Sequence, residues 1–224
     1  MAQRIKLSDR KLPNYSRGEE CMNMVTHIVG GGLGILATVL CILRAAKLGN
    51  GWAVSACGFY GFTLITMYAI SSIYHGLADG MAKRVMQVID HCTIYFLIAG
   101  TYTAVVLGAL RPAYPAIAWG LFGFEFVLLA IATTLTAIDL KKYNTFSMIC
   151  YIGMGWAVIP FWRQTLQVLT TDGFLLLLFG GIAYTIGAVL YGIGSKKPWF
   201  HGIFHIFVVL GSLLQFLAIY WYGL

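Results

Sequence analysis

The sequence predicts an all-α membrane protein, a bundle of seven transmembrane helices. Charged residues make up 10% of its 224 residues and hydrophobic residues 59%, whereas a soluble domain carries about 25% charged residues. Such a chain has too few polar side chains to cover a water-facing surface. Its length allows several membrane spans, since each span needs about 20 apolar residues.

Seven apolar segments are separated by short breaks that contain Gly, Pro or charged residues, which is typical of loops. They cover residues 21–43, 52–75, 85–110, 113–138, 145–162, 173–194 and 199–222. Because a helix satisfies its own backbone in lipid, each segment is predicted to be a transmembrane helix. The fifth is short, and Pro160 within it predicts a kink. The domain organisation is a polar tail over 1–18 and one transmembrane domain over 19–224.

The distribution of lysine and arginine predicts the orientation. With seven spans, eleven of these residues lie on the amino-terminal side: Arg4, Lys6, Arg10, Lys11, Arg17, Lys83, Arg84, Lys141, Lys142, Lys196 and Lys197. Four lie on the opposite side: Arg44, Lys47, Arg111 and Arg163. Positive residues stay inside, so the amino terminus is predicted to be cytoplasmic and the carboxyl terminus outside. The net charge of +7 therefore indicates a cytoplasmic rim and no nucleic-acid partner.

Polar residues of four distant segments are predicted to meet at the cytoplasmic ends of their helices. They are Glu20, Asn23, His27, Ser71, His75, Asp90, His91, His201 and His205. Polar groups at membrane depth are costly and usually functional. His201 and His205 are four residues apart and share one helix face, about 6 Å from each other. With His75 and the Asp90 carboxylate, they suit Zn²⁺ bound by three protein ligands with one open position.

Other interpretations of the same residues are less specific. An HxxxH pair alone is a weak metal signal. A lone histidine near the membrane surface, such as His27 or His91, is more often a hydrogen-bonding or aromatic-belt residue than a ligand. Ser71 alone could be a helix serine that bonds its own backbone. The five cysteines are scattered and lack a CxxC pair, which favours small buried side chains over disulfides.

The motifs in combination resemble the hemolysin III family. They are ExxNxxTH at Glu20, Asn23 and His27, SxxxH at Ser71 and His75, the stretch DHCTIYFLIAGTYT beginning at Asp90, and HxxxH at His201 and His205. This family is the bacterial branch of the progestin and adipoQ receptor superfamily, which includes the adiponectin receptors. The resemblance covers the chain after residue 18.

The resemblance implies a seven-helix fold with a cytoplasmic amino terminus, in a bacterial inner membrane. It implies zinc bound by His75, His201 and His205, and a water held near the metal by Asp90. Ser71 aligns with the serine of the SxxxH motif. Relatives that include the alkaline ceramidases hydrolyse lipid amides, and the family name records a cytolytic activity.

Three functions remain open at this point, all with membrane lipids as partners. The first is a zinc-dependent hydrolase of lipid amides or esters at the cytoplasmic leaflet, in which Asp90 is the general base and Ser71 assists. The second is a non-enzymatic regulator or sensor of the bilayer in which zinc is structural. The third, pore formation, is the least supported because the spans hold few charges. The oligomeric state and the lipid are left open.

Two residues depart from these patterns. Gln215 stands where many members of the family have His, but ten residues beyond His205 is about 15 Å along a helix, too far for one metal shell. Glu125 lies in the middle of the fourth segment. It is either a proton or lipid contact or, as we favour, a protonated carboxyl bonded to a neighbouring helix.

Overall fold

The computed structural model describes residues 6–194 and 197–224, and this part of the chain is built from helices joined by short turns. Arg4 and Lys196, which entered the charge count, lie outside the described residues. The main helices are α1 Arg17–Lys47, α2 Gly51–Gly76, α3 Met81–Val105, α4 Pro115–Ile138, α5 Asn144–Gly155, α6 Trp162–Gly194 and α7 Phe200–Tyr222. A single 3₁₀ turn, Leu7–Asp9, precedes α1.

Within the described residues, six stretches are long and apolar enough to cross a membrane. Four of them are α1, α2, α4 and α7. The stretch Met81–Ala113 contains α3, which continues through a π-helical turn, Val106–Leu110, and one further helical turn. The sixth, Asn144–Gly194, is 51 residues long. A continuous helix of that length would measure about 75 Å, which is more than twice the hydrocarbon core of about 30 Å. The protein is therefore a multi-pass integral membrane protein.

The 51-residue stretch is not one straight helix. α5 ends at Gly155, and a turn and a 3₁₀ segment, Ile159–Phe161, lead into α6. This break in the α-helix confirms the predicted kink near Pro160. Its physical cause is that proline lacks the backbone N–H that an α-helix needs. The loop predicted before residue 173 is reduced to one non-helical residue inside α6, Thr170, with φ 61° and ψ 174°.

The helices pack so that the first and the last lie side by side. α1 contacts α2 and α7, α2 contacts α3, α3 contacts α4, and α6 contacts α7. Gly202 lets α7 approach α1 closely, because a Cβ there would lie 2.8 Å from Met22 Sδ and 3.2 Å from the Asn23 side-chain oxygen. This approach brings the first turns of α7 against the polar residues of α1.

A hydrogen-bonded cap aligns the starts of these two helices. Ser16 and Glu19 form a capping box at α1, in which the Ser16 hydroxyl accepts from the Glu19 backbone N–H and Glu19 Oε2 accepts from the Ser16 backbone N–H at 2.9 Å. Glu19 Oε1 also accepts from the backbone N–H of Trp199 at 2.7 Å. Trp199 precedes α7 and has a left-handed backbone, φ 68°. Glu19 therefore places the first turn of α7 level with the first turn of α1.

Candidate metal centre

Three histidine side chains converge between α2 and α7. His75 lies at the carboxyl end of α2, and His201 and His205 lie in the first two turns of α7. All three are buried, and one ring nitrogen from each lies within 4.8 Å of the other two. The Nε2 atoms of His201 and His205 are 3.1 Å apart. Two nitrogens bound to one zinc at about 2.0–2.1 Å in tetrahedral geometry are separated by roughly 3.3 Å.

Residues of α1 orient two of the three imidazoles. His75 donates from Nδ1 to Glu20 Oε2 at 2.6 Å, and His205 donates from Nδ1 to the backbone oxygen of Asn23 at 3.1 Å. In the neutral form of each ring these bonds leave Nε2 unprotonated, which is the form that binds a metal. His75 Nε2 is buried and has no hydrogen-bond partner among the described residues. The cluster could therefore hold a metal ion, and a neutral three-histidine set fits a divalent one.

The carboxylate behind His75 is itself held in place. Lys83 donates from Nζ to Glu20 Oε1 at 2.6 Å and to the backbone oxygen of Leu77 at 2.9 Å. Lys83 is only 4% exposed, and a buried ammonium needs such partners. Glu20 of α1 thus links His75 of α2 to Lys83 of α3. Lys83 was not identified from the sequence as a residue that supports the site.

Asp90 and Ser71 lie beside the histidines without belonging to the ligand cluster. Ser71 is buried in α2 one turn before His75, and Asp90 lies in the first half of α3. The Asp90 side chain remains 15% exposed. Both residues line the same cavity as His201 and His205.

The two remaining histidines have different environments. His91 uses both ring nitrogens in hydrogen bonds, with the backbone oxygen of Gln87 at 2.8 Å and the hydroxyl of Tyr191 at 3.1 Å. His27 stacks on the ring of His205, with centroids 3.7 Å apart and planes 17° apart. Neither nitrogen of His27 has a partner among the described residues. Neither histidine belongs to the three-residue cluster.

A tyrosine of the amino-terminal segment lies against the histidines. Tyr15 stacks on His201 with ring centroids 4.9 Å apart and lies 6.0 Å from the ring of His75. Burial raises the pKa of Tyr15 well above its ordinary value, so its phenol is neutral. No sequence pattern indicates this contact, although the Ser16–Glu19 capping box next to Tyr15 is visible as SxxE.

A mainly apolar cavity, partly open to the surroundings, extends from the histidines between the helices. Its α3 wall runs from Asp90 to Val106, which is about 24 Å of helix. Gln215 lines the cavity on α7. The cavity thus has an apolar wall along α3 and polar side chains at the histidine end.

Glu125 lies away from this site. It is fully buried in α4, and neither carboxylate oxygen has a hydrogen-bond partner within residues 6–194 and 197–224. The expected hydrogen bond to a neighbouring helix is therefore not found there.

Comparisons with known proteins agree with the motifs. The family model described as Haemolysin-III related matches residues 15–216. Hemolysin-3 of Bacillus cereus is 34% identical over 206 residues, covering 92% of each chain. The Hemolysin-3 homolog of Bacillus subtilis (strain 168) is 34% identical over 209 residues, covering 91% of this chain and 94% of its own. The human Monocyte to macrophage differentiation factor is 26% identical over 179 residues, covering 76% and 71%. The chain therefore belongs to the haemolysin-III-related family.

Proposed function

We propose that this protein is a zinc-dependent hydrolase that cleaves an amide or ester bond of a lipid at the cytoplasmic leaflet of a bacterial inner membrane. One observation carries the proposal. His201 and His205 line the same apolar cavity as a carboxylate, Asp90, and a hydroxyl, Ser71. Two members of the histidine cluster, a candidate base and a hydrogen-bond donor thus face one apolar cavity.

The proposal includes a topology of seven crossings with a cytoplasmic amino terminus. α5 and α6 then cross the membrane in turn, with their junction near Pro160 on the outer side. This topology is supported by the excess of Lys and Arg on the amino-terminal side. It places the histidine cluster, the Glu20–Lys83 pair and Tyr15 at the cytoplasmic end of the bundle.

His75, His201 and His205 would hold the zinc ion through their Nε2 atoms. Zinc, when bound, would polarise the substrate carbonyl and make a neighbouring water more acidic. Glu20 and the Asn23 backbone oxygen fix the tautomers of two ligands, so the protein is already arranged for the metal.

The protein's own residues would carry the proton transfers. Asp90 would accept a proton from the attacking water and later deliver it to the leaving group, which is the work of a general acid–base residue. Ser71, which lines the cavity with Asp90, would donate from its hydroxyl to the oxygen of the reacting carbonyl. The apolar cavity walls would hold the acyl chain and keep bulk water away from the reacting bond.

The direct test is an assay of purified, zinc-loaded protein against a panel of lipid amides and esters, followed by mass spectrometry of the released fatty acids. We expect wild-type protein to release fatty acid from at least one lipid. A chelator should abolish the release, and zinc should restore it. The absence of release from every lipid by protein with full zinc occupancy would contradict the proposed activity.

A structural metal is the second candidate, and one observation favours it. The ligands join two helices distant in sequence, α2 and α7, while α1 braces both from behind. A metal there would hold the ends of three helices together without any reaction. A closed shell with four protein ligands supports this function, whereas three protein ligands and one exchangeable position support catalysis.

A further inference from the structure

A second cavity lies between the amino-terminal segment and the adjoining ends of α3 and α4. It is partly open to the surroundings. Two basic residues line it, Lys6 and Arg10, and its apolar lining includes Val85, Val88, Ile89 and Ala137. It shares no lining residue with the cavity at the histidines.

The Arg10 side chain is buried in this cavity with most of its donors unused. Arg10 is 9% exposed, and Nη2 donates to the backbone oxygen of Ile138 at 3.3 Å. Nε and Nη1 are buried and have no hydrogen-bond partner among the described residues. A buried guanidinium without a counter-charge is costly. The unused N–H donors of the planar guanidinium have the geometry to bind two oxygens of a phosphate.

The charges around Arg10 also favour an anion. Lys6 lines the same cavity, and Arg84 donates from Nε to the Arg10 backbone oxygen at 2.9 Å. Asp139 is the acidic residue next to Ile138, but its Oδ1 accepts from the Lys142 backbone N–H at 3.1 Å. No ion pair between Asp139 and Arg10 occurs in the described part of the chain.

The apolar wall indicates that the anionic group belongs to a lipid and is not a free ion. Val85, Val88 and Ile89 follow helical spacing and form one stripe on α3. Val85 is 38% exposed and Ile89 39% exposed, so this stripe continues onto the outer surface of the bundle. A free phosphate ion gains nothing from such a wall, whereas the chains of a membrane lipid lie along it.

We propose that this cavity binds an anionic phospholipid, with its phosphate on Arg10 and Lys6 and its acyl chains along Val85 and Ile89. The site is separate from the metal centre and does not rest on the proposed hydrolase. From Arg10 the chain continues to Tyr15, which stacks on His201. A lipid bound at Arg10 would therefore anchor the segment that covers the histidines.

The test is the thermal unfolding of purified protein in a zwitterionic detergent with added dioleoylphosphatidylglycerol, dioleoylphosphatidylcholine or sodium phosphate at matched ionic strength. We expect phosphatidylglycerol to raise the unfolding temperature of wild-type protein more than phosphatidylcholine, and phosphate to have no effect. In Arg10→Gln, the apparent affinity for phosphatidylglycerol should fall roughly tenfold or more. Lys11→Gln, which removes the same charge from an exposed neighbour outside the cavity, should respond as wild type.

A second variant tests the site without removing Arg10, in case Arg10→Gln does not fold. Ala137→Trp fills the cavity from an exposed position and leaves Arg10 intact, so it should fold and also lose the response to phosphatidylglycerol. An unchanged response in Ala137→Trp, or in folded Arg10→Gln, would overturn the site. Stabilisation by sodium phosphate equal to that by phosphatidylglycerol would overturn the lipid as its ligand.

Discussion

Glu20 of α1 accepts a hydrogen bond from Nδ1 of His75 at 2.6 Å, and its other oxygen accepts from Lys83 at 2.6 Å. A carboxylate behind a ligating histidine fixes the tautomer and makes the opposite nitrogen a better ligand. This pair connects the start of α1 to the end of α2, and through it a residue outside the histidine cluster would influence metal binding.

Removing the charge of Glu20 should weaken metal binding while the fold persists. Glu20→Gln keeps the shape but leaves a weaker acceptor for His75, so we expect roughly a 10- to 100-fold loss of zinc affinity. Competition with a zinc-binding dye measures this loss. Asp79→Asn is the matched control, because Asp79 is exposed and lies 3.9 Å from the same Lys83. Wild-type affinity in Glu20→Gln would show that the carboxylate does not support the metal.

The three histidines should each be needed for metal retention and for stability. We expect His75→Ala, His201→Ala and His205→Ala to lower both the zinc content and the thermal unfolding temperature, because the ligands join α2 to α7. Elemental analysis of protein purified at limiting zinc measures the content.

Two other histidines serve as controls for that experiment. His91→Ala and His27→Ala should retain zinc, since His91 is engaged with Gln87 and Tyr191 and His27 is stacked on a ligand. Full zinc occupancy in His75→Ala would mean that the three-histidine site is wrong.

The convergence of the three histidines was predictable from the sequence, whereas the contacts that support them were not. His75, His201 and His205 could be grouped because helical spacing and the ends of apolar segments place residues at a common depth. The contact between Lys83 and Glu20 depends on how α1 and α3 pack, which no pattern within one segment encodes. Tyr15 lies in a polar tail without periodicity, so its stacking on His201 could not be predicted.

The fold, like the site, was predictable in part. The long apolar segments predicted α1, α2, α4 and α7, because length and hydropathy alone define a span. The boundary within Asn144–Gly194 was less accurate, because the residues before 173 read as a loop but stay helical apart from Thr170. A single residue with positive φ carries no clear signal when it is not Gly.

Replacement of Asp90 separates catalysis from a structural metal. Asp90→Asn keeps the shape and one acceptor oxygen but cannot take a proton. We expect normal zinc content and a loss of lipid hydrolysis of about 10²- to 10⁴-fold, measured as fatty-acid release. Asp79→Asn, a carboxylate exposed outside the cavity, is the control and should keep full activity. Unchanged hydrolysis in Asp90→Asn would exclude Asp90 as the general base.

The proposed topology gives a separate prediction about the carboxyl terminus. Eleven Lys and Arg residues on the amino-terminal side against four on the other place Leu224 outside the cytoplasm. A fluorescent protein that matures only in the cytoplasm, fused after Leu224, should stay dark, while the same protein fused before Met1 should fluoresce. A bright carboxyl-terminal fusion would reverse the orientation and move the histidine cluster to the outer leaflet.

X-ray absorption at the zinc edge of purified wild-type protein is the most direct test of the metal centre. The account predicts one zinc per chain with three imidazole nitrogens at about 2.0 Å and one further light-atom ligand, and the loss of one imidazole contribution in His75→Ala. Protein that binds no zinc after reconstitution, or a shell that contains sulfur or fewer than three imidazoles, would contradict it.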